Sequence, residues 1–323
     1  GTCLGRCPHK NQKPFSFSFS LMLVGITRRA GTLAKRWLST GTNIAGVKHV
    51  VAVSSGKGGV GKSTVAVNLS LGLAKKGLRV GILDADIYGP SIPLLMNLTK
   101  YAIKFDPKDG KQTSPMISVD QQSGRLEPLH NHGITCMSMG FLVPSEAPTI
   151  WRGMMVTSAV DQLIFKVKWG NLDVLVVDMP PGTGDAALTL SQRVNISGAV
   201  IVSTPQDVAL ADVRKGVNMF KKLSVPIYGL VENMSYFVCP KCTDKHYIFG
   251  NGGAKSTAAE MGIEFLGEIP LDQRIRETSD QGKPIIIEDP ESVQAVAMMD
   301  IAEKVHRQLQ AETSSGQPKI SFE

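Results

Sequence analysis

The sequence predicts a single doubly wound α/β domain, a mostly parallel sheet with helices on both faces. Three observations carry that expectation. Short β-branched runs alternate along the chain with stretches of helical periodicity. Several runs are apolar on both faces, as strands of a parallel sheet covered on each side must be. The first of them also feeds a glycine-rich loop that opens directly into the first helical stretch.

Composition leaves room for such a domain and removes alternatives. With 323 residues, 42% of them hydrophobic, the chain can bury a sizeable core, and collagen-like, low-complexity and wholly disordered chains are excluded. Five scattered cysteines are too few for a disulfide scaffold and point to a reducing compartment, where paired thiols bind metal or do redox chemistry. Eight of the 35 basic side chains fall in residues 1–48, which contain no Asp or Glu, whereas residues 49–323 set the other 27 against 28 acids. The basic excess belongs to the leader and gives no case for nucleic acid as a partner.

Residues 1–48 read as an organelle transit peptide, mitochondrial before plastid: acid-free, Arg-containing and Ser/Thr-bearing, with an apolar stretch over 15–26. That stretch is too short and too interrupted by Ser to cross a bilayer, which takes about 20 apolar residues, and no other segment approaches that length. No integral membrane segment is expected. Cys3 and Cys7 lie inside the leader and are read as incidental.

The body is expected over 49–310, with a polar, frayed tail over 311–323. Strands are predicted over 49–55, 79–84, 134–140, 172–178, 199–204 and 227–233, and helices over 62–76, 154–168, 186–194, 208–223 and 292–309. Residues 106–131, rich in Lys, Asp, Gln, Ser and Pro, lack periodicity and are expected to be a surface excursion.

Gly56, Lys57, Gly58, Gly59, Val60, Gly61, Lys62, Ser63 and Thr64 fill the pattern G-x-x-x-x-G-K-[ST] between a strand and a helix. Glycines let successive N–H groups curl around phosphate oxygens, the helix contributes its positive end, Lys62 neutralises the β and γ charges of ATP, and Ser63 is placed for Mg2+. Asp178, ending an apolar strand, occupies the place of an acid that holds magnesium through water. The Pro180, Pro181, Gly182, Thr183, Gly184, Asp185 loop behind it is a candidate switch responding to the γ-phosphate.

Lys57, extra to the basic pattern, resembles the signature lysine of the deviant Walker A group that includes MinD, nitrogenase iron protein and the arsenite pump ATPase. The resemblance implies that ATP is sandwiched between two subunits and that Lys57 reaches the partner's nucleotide. It also implies that Asp84 assists the magnesium shell, that Asp86 orients the attacking water, and that Asn233 reads adenine with Pro205, Gln206 and Asp207 nearby. Arg152 and Arg214 are read as ordinary surface ion-pair partners, so Lys57 in trans would have to serve in place of an arginine finger and turnover is expected to be slow.

Cys239 and Cys242 stand two residues apart in a loop after a strand, among Tyr236, Phe237 and Tyr247. Zinc or a cubane cluster takes about four ligands, so one chain supplies half a site. The economical solution is two chains, each giving Cys239 and Cys242, around one bridging metal centre, which agrees with the dimer implied by Lys57. His246 is a weak third ligand, a thioredoxin-like dithiol is a rival, and Cys136, in an apolar run, is expected in the core.

Taken with Leu83 to Ser91 and the run Trp151, Arg152, Gly153, these motifs resemble the Mrp-type, iron-sulfur carrier branch of the deviant P-loop ATPases over about four fifths of the chain. With the leader, the likeness is greatest to its mitochondrial members. It implies a nucleotide-dependent homodimer that carries a 4Fe-4S cluster in the mitochondrial matrix to apo iron-sulfur subunits of respiratory complex I. Two other classes are weighed: a MinD-like ATP-switched dimer on a membrane, disfavoured by the mixed charge of Asp300, Glu303, Lys304 and Arg307, and a redox ATPase like nitrogenase iron protein, whose cluster cysteines are placed differently.

Overall fold

The computed structural model describes residues 41–102, 117–142 and 153–315. Cys3, Cys7, the rest of residues 1–40, residues 103–116 with the first part of the expected excursion, Trp151 and Arg152, and the end of the tail lie outside the described residues.

In chain order the elements are β1 (Val47–Ser55), α1 (Lys62–Lys75), β2 (Val80–Asp84), α2 (Ile92–Leu95), β3 (Leu129–Asn131), β4 (Ile134–Ser138), α3 (Gly153–Phe165), β5 (Leu172–Asp178), α4 (Asp185–Arg193), β6 (Gly198–Ser203), α5 (Asp207–Lys222) and β7 (Ile227–Asn233). There follow a two-stranded hairpin, β8 (Phe237–Val238) with β9 (Lys245–His246), then α6 (Gly253–Met261), β10 (Phe265–Ile269), α7 (Gln273–Asp280), α8 (Ile285–Glu288) and α9 (Val293–Ser315).

Eight strands form one sheet in the order β10-β7-β6-β1-β5-β2-β4-β3, parallel throughout except where β3 runs against β4. The expected fold class is the one observed. β6 is buried at every residue and β5 at every residue but Asp173, which is why their sequences read as unbroken apolar runs. Because the strands are parallel, the C-terminal ends of β1, β2, β5 and β7 meet at one edge, where ligands bind in open α/β sheets.

α1 packs on β1, β2 and β5 and is itself covered by α8 and α9. It is buried from Val65 through Leu73, so it carries apolar residues all round rather than in a stripe. Each side chain of the size of Leu69 or Leu73 contributes about 1.5–3 kcal/mol on burial. Gly72 lets α9 come close: a Cβ there would lie 2.6 Å from the Ala302 methyl. α5 and α6 pack against each other and against β6 and β7.

Three boundaries depart from the sequence reading. Residues 41–48, counted with the leader for lack of acids, already belong to the domain: Thr42 donates its N–H to the Arg193 carbonyl at 2.8 Å, Ile44 is buried and β1 starts at Val47. Absence of charge marked the leader, but packing decides where the domain begins. The excursion over 106–131 contains β3 at its end, and Leu126 bridges both Val119 and Val167. The tail is helical as far as Ser315, where Thr313 bonds the Leu309 carbonyl and lies 3.3 Å from His49 Nε2.

Candidate functional site

The loop after β1 is held open by glycine. Gly59 and Gly61 both have φ +82°, a backbone that costs an L side chain strain. A Cβ on Gly61 would sit 2.2 Å from Asn233 Nδ2, whereas at Gly58 and Gly59 nothing lies within 4 Å. The loop is thus buttressed from β7 and bare on the side that faces a cavity of about 290 Å³. Lys57, Lys62, Ser63, Asp86 and Pro181 line this cavity with Gly58, Gly59, Gly61 and Thr64, whereas Gly56, Val60, Asp84 and Asp178 do not line it.

Lys62 opens α1 with its side chain buried, and its ammonium pairs with the Asp178 carboxylate. Ser63 donates its hydroxyl to the other Asp178 oxygen at 2.5 Å. Adjacent strand ends create this contact, since β5 lies beside β1 and pairs Asp178 with Val53. Burial pushes the Asp178 carboxyl above its ordinary value, while Lys62 and Ser63 pull it back. Lys57 is half-exposed and, among the described residues, has no carboxylate within ion-pair distance.

Asp84 is the register partner of Asp178 across β2 and β5, yet it faces a different set of donors. One oxygen accepts the Asp86 N–H at 3.1 Å; the other accepts from the N–H groups of Ser91 and Ile92 and from the Ser138 hydroxyl, at 3.0–3.1 Å. Its visible task is to hold the 86–92 turn and the start of α2, rather than to face the cavity with Ser63. Asp86 does face the cavity, and accepts the Gly89 N–H at 3.2 Å.

Burial, and then the charge of Asp178, raises the Asp84 carboxyl to about 7. The folded chain holds this proton more tightly than the unfolded chain. The site's contribution is therefore complete below the ordinary carboxylate range near 3.8 and is lost as pH rises through about 7. Asp84→Asn, which cannot ionise, should show a smaller stability deficit against the wild type at about pH 8 than at about pH 5. Urea midpoints at the two pH values check this; a deficit that stays constant or grows with pH contradicts it.

Asn233 closes on the loop rather than facing free space: its Nδ2 donates to the Val60 carbonyl at 2.8 Å. It also borders a second cavity of about 250 Å³, adjoining the first, with Gly61, Thr64, Met234, Leu271 and Arg276. Pro205, Gln206 and Asp207 do not line this space; the Pro205 carbonyl lies against Gly253 instead.

The neighbouring Glu232 escaped the sequence reading. Fully buried, it accepts from the Ser235 hydroxyl at 2.6 Å and from the Ala254 N–H at 2.8 Å, capping α6. Its signal, an acid at the C-terminal end of an apolar strand, is the one that revealed Asp178.

Between Asn233 and α6 the chain makes the β8–β9 hairpin that carries the cysteines. Cys239 is half-buried and Cys242 exposed. The Cys239 sulfur accepts the N–H groups of Cys242 and Lys241, which lowers its pKa below the usual thiol range. The Asp244 N–H acts the same way on Cys242, but the Cys239 sulfur and the Asp244 carboxyl outweigh it and hold that thiol higher. The sulfurs and a ring nitrogen of His246 all lie within 4.8 Å of one another. A loop closing a β-hairpin is not the helix N-terminus that a thioredoxin-like dithiol needs. Cys136 is in the core as expected, its thiol pushed up to about 12 by burial. Arg214 pairs with Glu260 at 2.8 Å on the surface.

Two lysines on one phosphate loop, one buried against an acid and the other unpaired at the rim, set the deviant Walker A class apart from other P-loop NTPases, and this protein is of that class. Comparison narrows the class. Residues 46–306 match the family described as NUBPL iron-transfer P-loop NTPase, and the chain belongs to that family. It is 57% identical to the iron-sulfur cluster transfer protein NUBPL of Dictyostelium discoideum over 83% of this chain and 78% of that one. It is 51% identical to an Arabidopsis thaliana protein named as an iron-sulfur protein required for NADH dehydrogenase, mitochondrial, over 83% and 80% of the two chains. Among solved structures, a nucleotide-binding protein of Archaeoglobus fulgidus in complex with ADP superposes with a TM-score of 0.63 at 40% identity, covering 76% of this chain and 90% of that one. The cell-division ATPase MinD of Pyrococcus furiosus, at 22% identity over 80% of this chain and 98% of that one and a TM-score of 0.56, shares the fold. No helix among the described residues is long and apolar enough to cross a membrane.

Proposed function

We propose that the chain binds ATP with magnesium and, as a homodimer, carries a 4Fe-4S cluster on Cys239 and Cys242 of each subunit. The recipients in this reading are apo iron-sulfur subunits of respiratory complex I in the mitochondrial matrix. The observation that carries it is the joining of two sites through one strand end: Asn233 of β7 touches the phosphate loop, and the hairpin bearing Cys239 and Cys242 leaves β7 directly after it. The names of the relatives, a cluster transfer protein and a protein required for NADH dehydrogenase, support the cargo and the destination. The acid-free leader and the mitochondrial relative support the compartment.

In this reading the bare amides of Gly58 and Gly59 and the dipole of α1 cradle the phosphates, and Lys62 leaves Asp178 to neutralise them. Ser63 and Asp178, two hard oxygen donors side by side, suit magnesium, which would neutralise phosphate charge. Asp86 is the acid at the cavity available to orient water. Lys57, with no partner in its own chain among the described residues, is the group left to cross to a second nucleotide.

Anaerobic reconstitution of the full chain with iron and sulfide tests the reading. It expects about four iron per pair of chains, and bound zinc alone or no metal would overturn it. Lys57→Ala separates the two uses of lysine. It should keep ATP affinity within about threefold but lose ATP-induced dimerisation in light scattering and most ATP turnover, on the order of 100-fold. Unchanged dimerisation would remove Lys57 from the interface.

A further inference from the structure

We infer that Cys239, Cys242 and His246 of a single chain form a site for one divalent transition-metal ion, a state separate from the bridging cluster that uses a ligand the cluster does not. The inference rests on reading Cys239 and Cys242 as metal ligands. It adds the third group, which sequence spacing alone left weak.

The site is assembled by backbone rather than by metal. β8 and β9 pair Phe237 with His246, so the imidazole stands at the base of the loop that Cys239 begins. The Cys239 N–H donates to the Asp244 carbonyl at 3.0 Å, and the Cys239 carbonyl accepts the Thr243 N–H at 2.9 Å. Thr243 takes the left-handed turn with φ +62°. These constraints bring two sulfurs and a ring nitrogen within 4.8 Å of one another, a spacing that a small closure converts to a tetrahedral face.

Two backbone N–H groups, those of Lys241 and Cys242, stand beside the Cys239 sulfur, as outer-shell donors do at metal sites. One cation of the hairpin is kept on an aromatic ring: the Lys245 ammonium sits 4.2 Å over the Tyr236 ring, which Tyr247 meets edge-on.

The donor set defines the ligand. Two thiolates and an imidazole select Zn2+, Co2+ or Fe2+ over Mg2+ or Ca2+, which take oxygen. Two thiolates cancel the ion's charge, and three protein ligands leave the fourth tetrahedral position open to water or an incoming thiol. This state belongs to the monomer, with one ion per chain. A cluster on four thiolates leaves His246 out, so passing from one state to the other exchanges His246 for the partner's sulfurs.

Cobalt titration of the reduced full chain under anaerobic conditions tests the inference. One cobalt per chain is expected, on a particle of monomer mass by light scattering, with tetrahedral d–d absorption and a thiolate-to-cobalt charge-transfer band. His246→Ala should weaken cobalt binding by about tenfold or more and shift the d–d bands, and His246→Cys should restore tight binding. Far-ultraviolet circular dichroism and ADP binding control for folding, which an exposed hairpin residue should not disturb. Half a cobalt per chain on a dimer, or wild-type affinity and spectrum in His246→Ala, overturns the site. Iron and sulfide reconstitution of the wild type separates the two readings. A cluster together with unaltered cobalt binding by His246→Ala removes the single-chain site alone. Cobalt bound as expected but no cluster removes the carrier reading alone.

Discussion

Cys239→Ala should abolish cluster retention, taking the iron recovered after anaerobic reconstitution from about four per pair of chains to background. The size of the effect follows from the sharing of the site. In the proposed homodimer one substitution removes two of the four thiolates, and the two His246 imidazoles are poorer ligands for a cubane. Stability should change by less than about 0.5 kcal/mol, because the loop closing β8 and β9 is largely solvent-exposed and Cys239 is not among the buried core residues.

Cys136→Ala is the matched control. That thiol is fully buried between β2 and β3 and held protonated by burial, so its loss should cost core packing and leave the cluster intact. Iron and sulfide assay with the visible absorbance of the cluster reads both variants. Full cluster binding by Cys239→Ala, or loss of the cluster in Cys136→Ala with the fold intact, would displace the metal from the hairpin.

The parts of this molecule that were legible in the sequence are those where one physical demand dominates. β5 and β7 run over 172–178 and 227–233 as predicted, because a strand buried on both faces has no freedom but to be apolar. The phosphate loop was legible because few sequences other than glycine-rich ones can bring successive N–H groups to a point. Residues 253–291 were not. α6 starts on Gly253 after Gly252, α8 is four residues long, and β10 is a short edge strand interrupted by Gly267 and Glu268, so each lacks the length that makes periodicity visible.

Side-chain roles were harder still. Nothing in the spacing of Asp84 and Asp86 says that the first is spent on Ser91, Ile92 and Ser138, because Ser138 reaches it through strand order, 54 positions away in sequence. His246 looked weak at four residues from Cys242, and gained its place only through the pairing of β8 with β9.

Lys62→Ala should have the largest combined effect on nucleotide binding and stability, and the two losses share one cause. The Lys62 ammonium is the counterion of Asp178, whose carboxylate is completely buried. Removing one partner of such a pair leaves the other charge uncompensated, which costs about 3–5 kcal/mol. ATP also loses the cation that meets its β and γ phosphates, worth on the order of 100-fold or more in affinity.

The stability loss carries a pH signature. Without Lys62 the Asp178 carboxyl rises further above its ordinary value, so the folded variant takes up a proton at Asp178 and its deficit is smaller at about pH 5 than at about pH 8. Lys62→Ala with Asp178→Asn should then recover most of the lost stability at neutral pH without recovering ATP binding, a double-mutant coupling that no additive surface effect reproduces.

Asp178→Asn alone makes the competing demand visible. In the proposed reading the incoming phosphates draw Lys62 away from Asp178 in the wild type, and Asp178 is freed for magnesium when they do. The asparagine variant releases the lysine in advance, so it should bind ATP at least as tightly as the wild type without magnesium and gain little when magnesium is added. Calorimetric titration with and without Mg2+ decides it. An equal magnesium gain in wild type and Asp178→Asn would mean that the ion is held elsewhere, and that the Lys62 to Asp178 pair serves the empty fold alone.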